Sequence, residues 1–260
     1  IIHAHQLVTC ASNSMPKRGL AMRDVGMIPD GAVAIHRGQI VDVGKTKDLE
    51  TRYKPKDVID ATRSVVCPGF VDCHTHIVYG GNRLDEFEQR ITGKPYMQML
   101  AEGGGILSTV RATRQTAQAD LIRSARLRLA TMLRHGTTTA EIKTGYGLNT
   151  DTEAKMLSAI IALDQIHPMR IIPTFLGAHA VPPEFKNAGE YADYLIAETF
   201  PAIYGVYHDS HYDIPLSMDI FCEAGVFDLA TTERLLRVAK HDYGMTLKVH
   251  ADEFVNLGAV

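Results

Sequence analysis

Three histidines carry the strongest chemical signal in this 260-residue chain. His74 and His76 stand two apart in Asp72-Cys73-His74-Thr75-His76, and side chains two apart on a strand share one face. Paired imidazoles in this arrangement suit Zn, Fe or Ni, although a His-x-His pair alone fits two ordinarily hydrogen-bonded histidines better. His250 shifts the balance. It follows the strand-like run Met245-Thr246-Leu247-Lys248-Val249, so it too sits at the C-terminal end of a strand. Three histidines with one open position is a catalytic zinc arrangement, in which bound water ionises with a pKa of about 7. Ala251-Asp252-Glu253 comes next. Glu253 reads either as a proton shuttle or as a solvated loop carboxylate, with Asp252 pointing away.

Other residues are weaker signals one by one. His179 ends the run Leu176-Gly177-Ala178-His179-Ala180, where small neighbours leave room for a ligand. Tyr146 lies between Gly145 and Gly147 after a strand, and Arg83 follows the His74 strand. Arg83 could grip a carboxylate with two parallel hydrogen bonds, or it is a surface arginine. Gly103-Gly104-Gly105 lacks the spacing and the lysine of a phosphate-binding loop. It reads instead as a lid or tight turn near a pocket mouth.

These residues need a scaffold that lines up strand ends. Residues 1–66 read as a small β-rich domain. Ala32–His36 and Gln39–Gly44 flank Arg37-Gly38 as a hairpin, and Asp57–Asp60 reads as a further short strand. Residues 67–260 alternate strands with helices. Apolar positions Leu121, Ile122, Ala125, Leu129, Met132 and Leu133 mark a helix that ends at Gly136, and Thr152–Ile166 marks another. Strands are expected at Thr137–Lys143, at Arg170–Leu176 (made irregular by Pro173), at Met218–Phe221 and at Met245–Val249. This is an α/β pattern with a parallel sheet. Five strands stop short of a (β/α)8 TIM-like barrel, which takes three more units and roughly 100 more residues. The expectation is an incomplete barrel rather than a complete open sheet of five strands.

Composition narrows the classes. The chain is 45% hydrophobic with a net charge of -3. Both signs are interspersed, which speaks against a nucleic-acid partner. No apolar run approaches the roughly 20 residues of a membrane span. Cys10, Cys67, Cys73 and Cys222 have no CxxC spacing and do not suggest a disulfide framework; a reducing cytoplasm is expected.

Longer strings resemble a known family. Pro68-Gly69-Phe70-Val71-Asp72-Cys73-His74-Thr75-His76 is similar to the first-strand motif of the amidohydrolase superfamily of metal-dependent hydrolases. Gly80-Gly81-Asn82-Arg83, the segments Gly103–Val110 and Gly136–Gly147, Gly177–Ala180 and Lys248–Glu253 resemble the imidazolonepropionase family. Nearly the whole chain is covered. That resemblance implies opening of 4-imidazolone-5-propanoate to N-formimidoyl-L-glutamate in histidine degradation, in a cytoplasmic homodimer. It implies one Zn or Fe ion on His74, His76 and His250, with a fourth ligand, an Asp, beyond Val260. The strands that complete the barrel and a composite N-terminal β-sandwich are expected there too. Arg83, Tyr146 and His179 would contact substrate, and Glu253 would act at the reacting ring. In this reading metal-activated water attacks the ring carbonyl and His179 stabilises the oxyanion. The alternatives are a related amidohydrolase or deaminase acting on an aminopurine or pyrimidine, and a non-catalytic scaffold of the same fold.

Overall fold

The computed structural model describes residues 1–12, 15–95 and 104–259. The chain divides into two compact units, Ile1–Gly69 and Phe70–Val260. The first holds a four-stranded sheet in the order β3-β2-β1-β4, made of β1 (Ala4–Val8), β2 (Met27–His36), β3 (Gln39–Lys45) and β4 (Val65–Val66). The β2–β3 hairpin turns at Arg37 and Gly38, with φ of 51° and 79°, the pair of positive values that a type I′ turn needs. Ala4, Leu7, Val33 and Ala61 form its small core. Among the described residues this unit has one sheet; a second layer of a sandwich is not among them. The strand expected at Asp57–Asp60 reduces to a lone bridge between Ile2 and Asp60. Val58 and Ile59 are 53% and 64% exposed, so no buried face holds an extended pair there.

The second unit is a parallel sheet in the order β10-β8-β7-β6-β5, with β9 also paired to β8. Its strands are β5 (Phe70–Thr75), β6 (Thr137–Lys143), β7 (Arg170–Ala178), β8 (Ser217–Cys222), β9 (Thr246–Leu247) and β10 (His250–Ala251). Helices Gln118–Arg134 and Thr150–Ile166 cover β6 and β7. Leu121, Ala125, Leu129, Met156 and Ile160 pack there against Ala140, Ile142 and Ile171. A second cluster, centred on Phe175, Tyr191, Phe200, Met218 and Ile220, continues the core under β7 and β8.

On β6, therefore, Ala140 and Ile142 face the helices. Period-two alternation turns Glu141 and Lys143 to the opposite, inner side. Pro173 does not disturb β7: it sits in register opposite Ile142, and the register shift falls later, between Phe175 and Ala178. Packing on both faces of β7 outweighs one missing ladder donor. The strand expected at Met245–Val249 shrinks to the two residues of β9, Thr246–Leu247, and the two-residue β10 begins beyond it at His250. Leu247 and Val249 are each 38% exposed, and no strand among the described residues pairs on their outer side. The described part of the Gly103-Gly104-Gly105 motif leads into helix Ile106–Gln115, with Gly105 donating to Glu86 Oε1 at 3.1 Å; Gly103 lies outside the described residues. No described helix is long and apolar enough to cross a membrane.

Candidate active site

The sheet must curl to make the contacts it shows. From β5 to β10 there are four strand-to-strand steps, which in a flat sheet would span about 19 Å at about 4.8 Å per step. Yet His250 Nε2 lies 3.0 Å from His74 Nδ1. The C-terminal strand ends therefore surround a common hollow, where active sites of parallel barrels form.

A cavity of about 800 Å3 occupies that hollow. His74, His76, Arg83, Tyr146, His179, His250 and Glu253 all line it, with Ile106, Leu176 and Phe221 among the apolar wall. Its size is typical of small-ligand sites. Burial pushes the His76 pKa down to about 3 and that of His179 down to about 4, so both are neutral imidazoles at pH 7. His74 is lowered as well, chiefly by burial and then by the nearby His250. Burial raises Tyr146, whose ring centroid lies 5.0 Å from that of His76 and 5.4 Å from that of His179.

The charge beneath these rings was not anticipated from the sequence. Glu141 Oε1 accepts from Lys143 Nζ at 2.8 Å, from Thr174 Oγ1 at 2.5 Å and from Lys248 Nζ. Lys143 Nζ also lies 2.9 Å from Asp219 Oδ2, which in turn lies 2.8 Å from His250 Nδ1. The two Asp219 contacts are ion-pair distances rather than aligned hydrogen bonds, and Asp219 Oδ2, Glu141 Oε2 and His76 Nδ1 are buried atoms without a hydrogen-bond partner. The signal for this layer was present in the strand strings: Glu141 and Lys143 alternate with Ala140 and Ile142, and Asp219 sits between Met218 and Ile220. Charges at every second position of a core strand mark an inner polar face. A second unanticipated carboxylate is Glu223, whose oxygens accept the N–H groups of Ala224, Phe254 and Val255 and so hold the loop that bears Glu253. Asp252 points back to accept from Leu257 N at 2.7 Å.

One contact at the cavity assigns a proton. His179 Nδ1 is 2.9 Å from Gly145 O. A carbonyl only accepts, so Nδ1 donates and Nε2 is the free lone pair.

Could a metal ion sit here? Neutral imidazoles suit Zn or Fe. The facing nitrogens of His74 and His250 are close to the roughly 3.3 Å expected between two ligands of one tetrahedral zinc. The partnerless Nδ1 of His76 adds a third donor in the same hollow. The donor chemistry fits. The three are not, however, gathered on one point: His76 lies 5.5 Å from His74 between ring centroids and stacks on His179 at 5.0 Å. Among the described residues no group of three His, Cys, Asp or Glu side chains is arranged to hold an ion.

Comparison with known proteins places the fold. The chain superposes on guanine deaminase from E. coli with a TM-score of 0.59 at 18% identity, covering 95% of this chain and 52% of that one. Guanine deaminase from Bradyrhizobium japonicum gives 0.58 at 16% identity, with 95% and 49% covered. Atrazine chlorohydrolase from Arthrobacter aurescens, solved with zinc, gives 0.53 at 13% identity, with 99% and 54% covered. The class is thus the α/β fold that these deaminases and hydrolases share, seen here as a curled half-barrel. By sequence the chain is a homologue of the imidazolonepropionases. It is 49% identical to that of Chloroflexus aggregans over 100% of this chain and 62% of the relative. Against that of Herpetosiphon aurantiacus it is 44% identical over 98% and 61%. The chain therefore spans about three fifths of the length of these relatives. No family model matches it.

Proposed function

We propose that this chain is the metal- and substrate-binding part of a hydrolase that opens 4-imidazolone-5-propanoate to N-formimidoyl-L-glutamate. The observation that carries the reading is the contact between His74 and His250, drawn from opposite edges of the sheet into a ring-sized cavity that Arg83, Tyr146, His179 and Glu253 also line. The relatives named imidazolonepropionase support it. His74, His76 and His250 would hold a Zn or Fe ion, which when bound supplies an activated water and a polarised carbonyl.

The chain's own residues do the rest. Water adds to the ring carbonyl carbon, the carbon–nitrogen bond of the cyclic amide breaks, and the leaving nitrogen takes a proton. Arg83, whose Nε donates to Thr109 Oγ1 at 2.9 Å, keeps its remaining N–H groups for the propanoate. Tyr146 flanks the same tail, giving orientation rather than chemistry. Glu253 lies on the exposed rim, where it can exchange protons with water and deliver one to the ring nitrogen. His179 changes role. As a neutral ring with Nδ1 committed to Gly145, it offers an acceptor at Nε2 and no donor for an oxyanion, so it is assigned to a ring N–H. The same reading makes the protein a cytoplasmic homodimer, with the eight-stranded barrel and a β-sandwich completed in the full-length form.

The test is turnover by the full-length protein, followed by loss of imidazolone absorbance. Activity that disappears in His250→Ala and returns on adding Zn or Fe to chelated natural protein supports the reading. Ammonia release from guanine or cytosine with imidazolone propanoate left intact would replace it with a deaminase.

A further inference from the structure

We propose that Glu153, which lies behind the cavity and touches none of its contents, is a positioning residue that sets the orientation of Tyr146 and the tautomer of His179. Glu153 is fully buried in the first turn of helix Thr150–Ile166. Its Oε1 accepts the N–H groups of Gly147 at 2.7 Å and Leu148 at 2.9 Å, and its Oε2 accepts that of Gly145 at 3.0 Å. One carboxylate thus gathers three backbone donors from four consecutive residues. The residue it passes over is Tyr146, whose side chain is directed into the cavity.

Two observations say that the turn has one conformation. Gly145 has φ of +102°, and a Cβ there would stand 2.8 Å from both His179 Nδ1 and Leu176 O. A Cβ on Gly147 would stand 2.6 Å from Glu153 N and 2.8 Å from its Oε1. No side chain fits at either place, so the strand end, the turn and the carboxylate are mutually fitted. With the turn so held, the Gly145 carbonyl faces His179 Nδ1 at 2.9 Å and fixes the proton there. The path runs from Glu153 through Gly145 to the lone pair that His179 presents to the cavity.

A purely structural role explains less. The helix already has its N-cap, since Asn149 accepts from Thr152 N at 2.9 Å. Burying a carboxylate is costly unless hydrogen bonds replace its water, and here three of the replacements come from the one turn that carries Tyr146. Glutamine at this position keeps the shape but turns an amide NH2 toward a backbone donor.

The experiment uses the full-length protein labelled with 15N-histidine. Long-range proton–nitrogen spectra report tautomers, and a His179→Gln sample assigns the signal. The natural protein should show His179 protonated at Nδ1. In Glu153→Gln that signal should move toward mixed tautomers while metal content and the unfolding midpoint stay near natural values, and KM for 4-imidazolone-5-propanoate should rise roughly tenfold. A folded Glu153→Gln whose His179 keeps its tautomer and whose KM is unchanged overturns the proposal. If that variant does not fold, amide exchange in the natural protein decides: Gly147 and Leu148 amides exchanging as fast as an exposed turn overturn it, and strong protection supports it. The kinetic arm rests on the ring-opening reading. A natural protein inactive on this substrate, with the tautomer still lost in Glu153→Gln, sinks that reading and leaves the positioning role standing.

Discussion

Arg83 and Glu141 separate substrate binding from site integrity. Arg83 lines the cavity and has one N–H committed to Thr109. Charge-assisted hydrogen bonds contribute about 1.5–3 kcal/mol, so Arg83→Ala should raise KM at least tenfold with kcat nearly unchanged. Steady-state kinetics on the full-length enzyme checks this, and an unmoved KM removes Arg83 from the substrate. For Glu141, burial alone would raise the carboxyl pKa, but hydrogen bonds from Lys143, Lys248 and Thr174 outweigh it and hold it below the ordinary value. A depressed carboxyl pKa stabilises the fold above the unfolded value of about 4.5, and that contribution fades as pH falls through the folded value. Urea midpoints at pH 7, 4 and 3 should therefore fall more steeply in the natural protein than in Glu141→Gln. The variant should be the less stable of the two at pH 7.

At the level of elements, the loop after β10 depends on a side chain from the end of β8. Glu223 is 3% exposed, and its two oxygens receive three backbone N–H groups, two of them from Phe254 and Val255 next to Glu253. These bonds hold its carboxyl below the usual range. Glu223→Gln turns one acceptor into a donor facing donors. Hydrogen exchange at Phe254 and Val255 should accelerate, and kcat should drop with little change in the unfolding midpoint, because the helices and core clusters are untouched. Unaltered exchange at these two amides would show that the loop is held by something else.

For the parallel-sheet unit, curling brings together His74 and His250, which no single element could. An ion bound only by the folded state adds about 2.7 kcal/mol of stability at a concentration 100 times its Kd. Zinc added to chelated full-length protein should raise its melting temperature, and His250→Ala should abolish the rise. Asp219→Asn should retain it at higher zinc, since loss of a carboxylate behind a ligating histidine typically weakens metal affinity 10–100-fold. An equal rise in His250→Ala would place the ion elsewhere.

Much of this was legible in the chain. Hydrophobic periodicity located the helices Gln118–Arg134 and Thr150–Ile166, because each buries one continuous stripe. Arg37-Gly38 announced its hairpin because only a positive-φ pair makes that turn. His74, His76 and His250 stood out because their spacing and place at strand ends are local properties. Tertiary structure decided the rest. How much of Met245–Val249 pairs as strand depends on what lies beyond its outer edge, and whether Glu141, Lys143 and Asp219 are solvated or paired depends on how far the sheet curls. The partners of Glu153 and Glu223 are loops folded back over them, and the proton on His179 is set by the carbonyl of a residue 34 positions away. Local pattern determines which groups are available; only the closing of distance between strands determines which of them share a proton or a charge.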